Sequence, residues 1–440
     1  MSLNRFLYAC LLSTLTFTTL SAQAPDSHAP ATHSPAATEQ HPTGEATPEH
    51  GAEAHAGHAD CAPEEKKSEK YDPVPAVMHH IGDAHHFHII GDIHLPLPVF
   101  AYDSENGFTS GMSTMFHHGA KAVNGFVLAH DVVRKAKGLP MGEVELDEIH
   151  KGEGHYSFVK EELNAKGKKE DHHFVSYKGQ CYELEESRKL TNLESSWIDF
   201  SITKNVFTML LALALIALAF FKTANFYKNN PNKAPKGLAN LMEVFVTFIR
   251  DEVAKPSIGP KYEKYMTLLM SLFFFVLFNN LFGLIPFFPG GANVMGNISS
   301  TIVLAIIVFL VVTLSGNKNY WQHIVWMPDV PIPIKILMLP IEIASIFIKP
   351  FTLLIRLFAN IVAGHVIILT FVSLIFIFGN AGQSIGGSAG GSLMAVPFVA
   401  FMNILEVLVS FLQAFIFTLL SALYIGAAVE EHHHADEAHH

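Results

Sequence analysis

The feature that most constrains the fold is a set of long stretches without any ionisable side chain. Residues 205–221, 265–288 and 298–315 contain no Asp, Glu, Lys, Arg or His. Each is close to the ~20 apolar residues an α-helix needs to cross a bilayer. A chain with three of them is not a single water-soluble globule. Two further apolar stretches follow, 334–379 and 393–429, and they hold the ionisable groups at membrane depth: Glu342, Lys349, Arg356, His365 and Glu406. The front of the chain differs. Residues 1–199 carry 16 Lys+Arg against 29 Asp+Glu, whereas residues 200–429 carry 13 against 7. An acidic, water-facing front is joined to an apolar, mildly basic rear.

Residues 1–24 read as a secretory signal: Arg5 in a short basic start, an apolar core from Phe6 to Leu20, and Ala22-Gln23-Ala24 as the small-x-small cleavage pattern. A retained anchor helix and a lipoprotein signal through Leu7-Tyr8-Ala9-Cys10 are the alternatives. Residues 25–70 are rich in Ala, Pro, His, Glu and Thr with almost no branched or aromatic side chain. They read as a disordered leader, because such a segment cannot bury enough surface to offset chain entropy. Its histidines, with His79, His80, His85, His86 and His88 beyond, offer donors for Zn2+ or for proton buffering. They lack the fixed spacing of a structural metal site, so a solvated tail is expected and no metal is assigned.

Residues 71–195 read as a small folded domain, α+β or β-rich. Phe87–Ile90, Leu97–Phe100 and Phe174–Tyr177 are strand-like runs, and the Lys/Glu-rich stretch 134–170 reads as loop or short helix. No dinucleotide fingerprint, phosphate-loop pattern or nucleic-acid-binding motif occurs, and no cofactor is expected. Once a signal is removed, Cys61 and Cys181 are the two remaining thiols and can pair in an oxidising compartment.

Charge placement gives a topology. The connection 222–264 carries Lys222, Lys228, Lys233, Lys236, Arg250, Lys255, Lys261 and Lys264, whereas the loop 289–297 has no Lys or Arg. The positive-inside rule puts the first inside and the second outside. The loop with Lys318 and Lys335 returns inside, the Gly/Ser-rich loop 379–392 is outside, and the acidic C-terminus is inside. The N-terminal domain is then outside, as the signal requires independently. Residues 334–379 would extend ~69 Å as one helix and 393–429 ~56 Å, against a hydrocarbon core of ~30 Å. Each is too long to stand upright. The expectation is two strongly tilted helices paired as an antiparallel hairpin, broken near Pro340 or Pro350.

At ~100° per residue, Glu342, Lys349 and Asn360 all lie within about 40° of Arg356 and form one stripe. His365 falls about 180° away, toward whatever lies behind the helix. On the final helix Glu406 and Gln413 are seven apart and share a face. Arg356 costs at least ~2.5–3.5 kcal/mol at membrane depth and cannot shed its proton. It needs a carboxylate or water. Pairing with Glu342 or Glu406 as structural glue is one reading. The presence of both an acid and an imidazole favours a proton relay.

Pro350-Phe-Thr-Leu-Leu-Ile-Arg356-Leu-Phe-Ala-Asn360-Ile-Val-Ala-Gly364-His365 resembles the arginine-bearing helix of subunit a of F-type ATP synthases. Leu412-Gln413-Ala-Phe-Ile-Phe417 resembles that family's final helix, Asn279-Asn280-Leu-Phe-Gly-Leu-Ile-Pro286 its second span, and Glu430-Glu431-His432 the bacterial ending. The likeness covers about 200–432; the signal-bearing, His-rich extension looks like the versions of Bacteroidetes-type bacteria.

The resemblance implies an all-α polytopic membrane domain of five helices at 200–432, a His-rich cytoplasmic tail at 433–440, and an N-terminal periplasmic domain at the bacterial inner membrane. It implies a stator subunit that performs no bond chemistry alone, with a rotating c-subunit ring, a b-subunit peripheral stalk and the other ATP synthase subunits as partners, in contact with membrane lipid. By likeness, Arg356 is the essential arginine between two half-channels, Asn360 and Gln413 are its polar neighbours, His365 and Glu406 belong to the external half-channel, and Glu342 is a cytoplasmic-side carboxylate. Two departures stand out. The order here is His then Glu, as in mitochondrial members, and Gly283 stands where some bacterial members have Asp. Lys349 fits no role in this scheme beyond snorkelling to the cytoplasmic surface. A proton-coupled secondary transporter is the alternative, against which stands the lack of internal repeats and matched broken helices; a scaffold for the outer domain is another.

Overall fold

The apolar stretches fold as helices. A computed structural model of the chain describes residues 82–430 except 91–92, 150–155, 164–168, 189–194, 286–287, 326–330 and 380–383. The expected signal, leader and C-terminal tail lie outside the described residues, as does Cys61; Cys181 is disulfide-bonded.

The described part of the N-terminal region is built from antiparallel strands. The strands β1 (His86–Ile90) and β2 (Ile93–Pro96) form a hairpin. The strands β3 (Pro98–Asp103), β4 (Gly107–Met112) and β12 (Trp197–Asp199) make a three-stranded sheet in the order β12-β3-β4. The rest form a seven-stranded sheet, β8-β5-β6-β7-β11-β10-β9. It comprises β5 (Lys121–Val123), β6 (Phe126–Ala129), β7 (Val132–Ala136), β8 (Glu143–Glu145), β9 (Ser157–Leu163), β10 (Lys169–Tyr177) and β11 (Gln180–Glu185). Stretch 134–170 is therefore loop only in part: β7, β8, β9 and the start of β10 run through it, with turns and loop at 137–142 and 146–149 between them. Cross-strand packing overrides its charged composition: Phe158 stacks on Phe174 with ring centroids 5.6 Å apart, and the Lys160 ammonium covers both rings.

Between the sheets lie Val99, Phe116, Phe126, Val133 and Trp197, all nearly solvent-free. Charge is buried here as well. Lys135 Nζ sits 2.8 Å from the fully buried Asp103. Burial opposes the Asp103 carboxylate, but the Lys135 ammonium outweighs it and holds that carboxyl below its usual range.

Among the described residues, five helices are long and apolar enough to cross a membrane. The first, α1 (Lys204–Asn229), starts with Thr203 as N-cap, whose hydroxyl accepts from the Val206 amide. The connection expected at 222–264 is not bare. It contains α2 (Leu238–Phe248), a π-helical turn over Ile249–Ala254 and a short turn Lys255–Ile258, before α3 (Tyr262–Leu284). In α2 the inward side chains recur at helical spacing, and Phe245 packs against Phe273, Phe274 and Phe411. The polar residues between them hid this periodicity. Helix α4 (Ile298–Ser315) coincides with the expected span, and α5 (Lys318–Val325) is a short amphipathic segment after it.

The last two helices are α6 (Ile332–Phe378, 47 residues) and α7 (Ile385–Val429, 45 residues). They form the expected antiparallel pair, with two corrections. No break occurs at Pro340 or Pro350: α6 passes through both, and membrane helices tolerate the missing donor where neighbours compensate. The loop expected at 379–392 is shorter, since α7 already begins at Ile385 with Ser384 as N-cap. Small residues allow this. A Cβ on Gly387 would strike the Phe378 carbonyl oxygen, so the hairpin closes tightly only because none is there.

The bundle has two poles. At one, the β domain meets the start of α1 and the segment 288–297. Lys204 donates its amide to Ala84 O at 2.8 Å, and Asn205 donates its amide to Asp83 Oδ1 at 3.2 Å. His85 Nε2 lies 3.2 Å from Asp199 Oδ2 with both side chains buried. Burial works against both charges, and their mutual attraction outweighs it, holding His85 above the usual imidazole range and Asp199 below the usual carboxylate range. At the other pole, the end of α7 meets Ser257 and Asn317, whose amide donates to Ala428 O.

Candidate functional site: a buried acid–imidazole pair behind an exposed arginine

Helices α3, α6 and α7 converge where the ionisable residues lie. The ring of His365, on α6, turns inward. Its Nδ1 is 2.7 Å from Glu406 Oε1 on α7, and the two side chains are 13% and 6% exposed. A carboxylate removed from water at this depth is costly unless it is hydrogen-bonded, and the imidazole provides that partner. The approach depends on Gly364, since a Cβ there would come within 2.7 Å of Glu406 Oε1.

The opposite edge of the imidazole faces α3. A Cβ on Gly283 would lie 3.7 Å from His365 Nε2 and 3.5 Å from Ala292 O. The space that an Asp would occupy at 283 thus adjoins the imidazole nitrogen that Glu406 does not use. His365 is bonded on one nitrogen and faces a small gap with the other.

Along α7 the buried face continues. Glu406, Ser410 and Gln413 are all buried, four and three residues apart. Asn280 on α3 donates its side-chain amide to Ser410 O at 3.3 Å. Ser410 Oγ and Asn280 Oδ1 are buried without a protein hydrogen-bond partner. The sequence reading paired Glu406 with Gln413 but passed over Ser410 and Asn280. The spacing from Glu406 would have found Ser410; Asn280 comes from a different helix.

The stripe on α6 is distinct. Arg356 and Asn360 are exposed, while Leu353, Leu357 and Ile361 beside them are buried. Arg356 pairs with neither Glu342 nor Glu406 among the described residues, so the structural-glue reading does not hold. Glu406 is engaged by His365 instead. Arg356 sits at the rim of the α6–α7 seam, close enough to Tyr424 to interact electrostatically. Lys349 lies 5.7 Å over the Tyr424 ring, in a recess with Val312, Tyr320 and Pro350. Glu342 is half-buried and acts electrostatically on Tyr320. Around Arg356 the outward face of α6 is apolar: Phe347, Ile348, Phe351 and Ile355 are all exposed. Of the five long helices, α6 is the least covered by the rest of the chain.

Comparison with known proteins gives two matches along the chain. The pattern of the family described as ATP synthase A chain matches residues 206–426, and that of the Domain of unknown function (DUF8433) matches residues 76–158. The chain is 44% identical over 257 residues to an ATP synthase subunit a of Chloroherpeton thalassium, covering 57% of this chain and 73% of that one. It is 41% identical over 279 residues to an ATP synthase subunit a of Chlorobium phaeobacteroides, covering 61% and 78%. A protein of Chlorobaculum tepidum, ATP synthase subunit a 2, is 40% identical over 267 residues, covering 58% and 71%.

Proposed function

The chain belongs to the ATP synthase A chain family, and from that premise we propose that it conducts protons to and from a rotating ring of c subunits through two offset half-channels. As a subunit a it is a multi-pass membrane protein associated with the other ATP synthase subunits. The observation that carries the finer reading is that α6 turns His365 inward, into a buried hydrogen bond with Glu406 of α7, while its Arg356 stays exposed without a carboxylate partner among the described residues.

Each group then has a task. The exposed apolar face of α6 and the facing part of α7 lie against the ring, where Arg356 meets its mid-membrane carboxylate. A permanent cation favours the ionised form of that carboxylate, because an opposite charge within ~4–6 Å lowers a carboxyl pKa. The same charge repels protons and blocks direct leakage between the half-channels. Asn360, one turn on, and Gln413 on α7 hydrate and orient this meeting point. On the external side, His365 takes a proton at Nε2 and gives one up from Nδ1 to Glu406 Oε1. Once Glu406 has passed the proton on, the imidazole is left protonated at Nε2, and a return to the Nδ1–H tautomer, by a flip of the ring or by moving that proton from one nitrogen to the other, readies it for the next proton. Ser410 Oγ and Asn280 Oδ1 support a wet path beyond Glu406, since buried polar atoms without protein partners are commonly satisfied by ordered water. On the other side Glu342 lines the exit.

The topology supports this assignment. Segments with dense Lys and Arg gather at one pole, and the β domain with the uncharged loop gathers at the other. The first is the cytoplasmic pole and the second the periplasmic one, reached after removal of a signal at 1–24. The b-subunit peripheral stalk holds the subunit against the torque of the ring.

The test is Arg356→Ala in the complete ATP synthase. ATP-driven proton pumping in membrane vesicles is expected to vanish while the assembled complex remains. Pumping at the wild-type rate would refute the reading.

A further inference from the structure

The β domain touches the membrane bundle at the segment that roofs His365. Phe87 on β1 is almost fully buried although it stands at the edge of the domain. Its ring packs against Phe207 of α1 at 5.5 Å and Phe288 at 5.3 Å, and the latter two are 5.9 Å apart. A three-ring cluster thus ties the domain, the first membrane helix and the loop after α3 together. Thr208 on α1 adds a hydrogen bond to Pro289 O at 3.4 Å.

From there the loop turns back onto the bundle. Gly291 donates its amide to Phe282 O in the last turn of α3. Ala292, Val294 and Met295 are buried, and Ala292 O borders the same gap beside Gly283 that His365 Nε2 faces. Only three residues, 289–291, separate Phe288 from Ala292 at that gap.

We infer that the β domain is a brace for the external proton entrance, with Phe87 and Phe288 as positioning residues that hold the 288–297 loop over His365 Nε2. The inference rests on the proposed function and gives the β domain a task within it. Nδ1 is committed to Glu406, so a proton from outside reaches the relay only at Nε2, and the loop sets the width of the way in. The fixed relation between domain and bundle makes such bracing effective. The Asp83 and Ala84 contacts to the first turn of α1 anchor the domain on a membrane helix instead of leaving it tethered by a linker. Among the described residues no other titratable side chain competes for this nitrogen. Glu406 is the ionisable residue facing His365 from α7, and α4 and residues 266–284 of α3 carry none.

The experiment uses the complete ATP synthase in liposomes, with ATP synthesis driven by an imposed proton gradient and measured against external pH. Phe87→Ala and Phe288→Ala are each expected to slow synthesis severalfold and to move the pH midpoint toward acid, because a hindered entrance becomes limiting first where protons are scarce. Phe87→Leu should recover most of the rate. The double variant should be no slower than the slower single one, since both act through one contact. Assembled variants with an unchanged rate and midpoint overturn the inference, as does a loss of equal size at every pH, which reports fewer working complexes. If Phe87→Ala fails to assemble, Phe288→Ala decides. Arg356→Ala in the same liposomes separates the two claims: if it is inactive while the Phe variants match wild type, the brace alone falls, and if it is active the proposed function falls first.

Discussion

A carboxylate and an imidazole 2.7 Å apart inside an apolar bundle are a committed pair, since either alone would be an orphaned polar group. Two substitutions separate the chemistry from the packing. Glu406→Gln preserves the volume and the hydrogen bond to His365 but removes the group that receives the proton. Proton-driven ATP synthesis should fall on the order of 100-fold, the scale of losing one positioned proton-transfer group, with assembly intact. Gly364→Ala leaves both ionisable groups present and pushes the Glu406 carboxylate away. It should fall between Glu406→Gln and wild type; a rate equal to wild type would mean the close approach does not matter. Part of this site was legible from the residues. The half-turn offset of His365 from the Arg356 stripe follows from helical geometry, and His365 does turn inward while Arg356 stays exposed. The partner came only from the family resemblance and not from helix geometry, since Glu406 lies 41 residues on and the contact depends on a missing side chain at Gly364. Periodicity places a residue on a face but does not say which helix covers it.

At the scale of elements, length was the dependable signal and local composition the misleading one. The 47-residue α6 and 45-residue α7 were implied by apolar stretches too long for upright spans. Pro340, Pro350 and the glycines near 386–391 suggested breaks that the structure does not contain. In lipid the alternative to a continuous helix is unpaired backbone, so one missing donor is a smaller loss than a broken turn. Glycines that mark a loop in water here permit close helix pairing instead. Gly387→Ala tests this. Its Cβ would meet the Phe378 carbonyl, and forcing the hairpin apart should cost roughly 1–3 kcal/mol, typical of overpacking. The expected result is a lower temperature of subunit release from the purified complex. An unchanged release temperature would show that the turn absorbs the methyl group freely. The strands within 134–170 were missed for a related reason: their charged residues lie on faces whose stabilisation comes from cross-strand partners, and pairing is not a property of one segment.

For the whole molecule, the uneven charge of the chain becomes a spatial division. Acidic residues dominate the β domain, Lys and Arg gather at the far pole, and between them His365 and Glu406 meet in the seam where α6 and α7 pack on α3 while Arg356 stays exposed on α6. Within the proposed path, the acid–imidazole pair of that seam favours a proton as the carried ion. A sodium ion needs several oxygen ligands converging on one point, whereas the groups here are strung out: one imidazole bonded to one carboxylate, then a hydroxyl and amides along α7 and α3. An imidazole passes protons between its two nitrogens and does nothing comparable for sodium. ATP-driven pumping by the purified complex is therefore expected to run at the same rate in potassium and sodium media, and acidification should persist with sodium removed. A requirement for sodium would mean that His365 and Glu406 shape the path sterically, and the relay through Nε2 and Nδ1 would have to be abandoned with it.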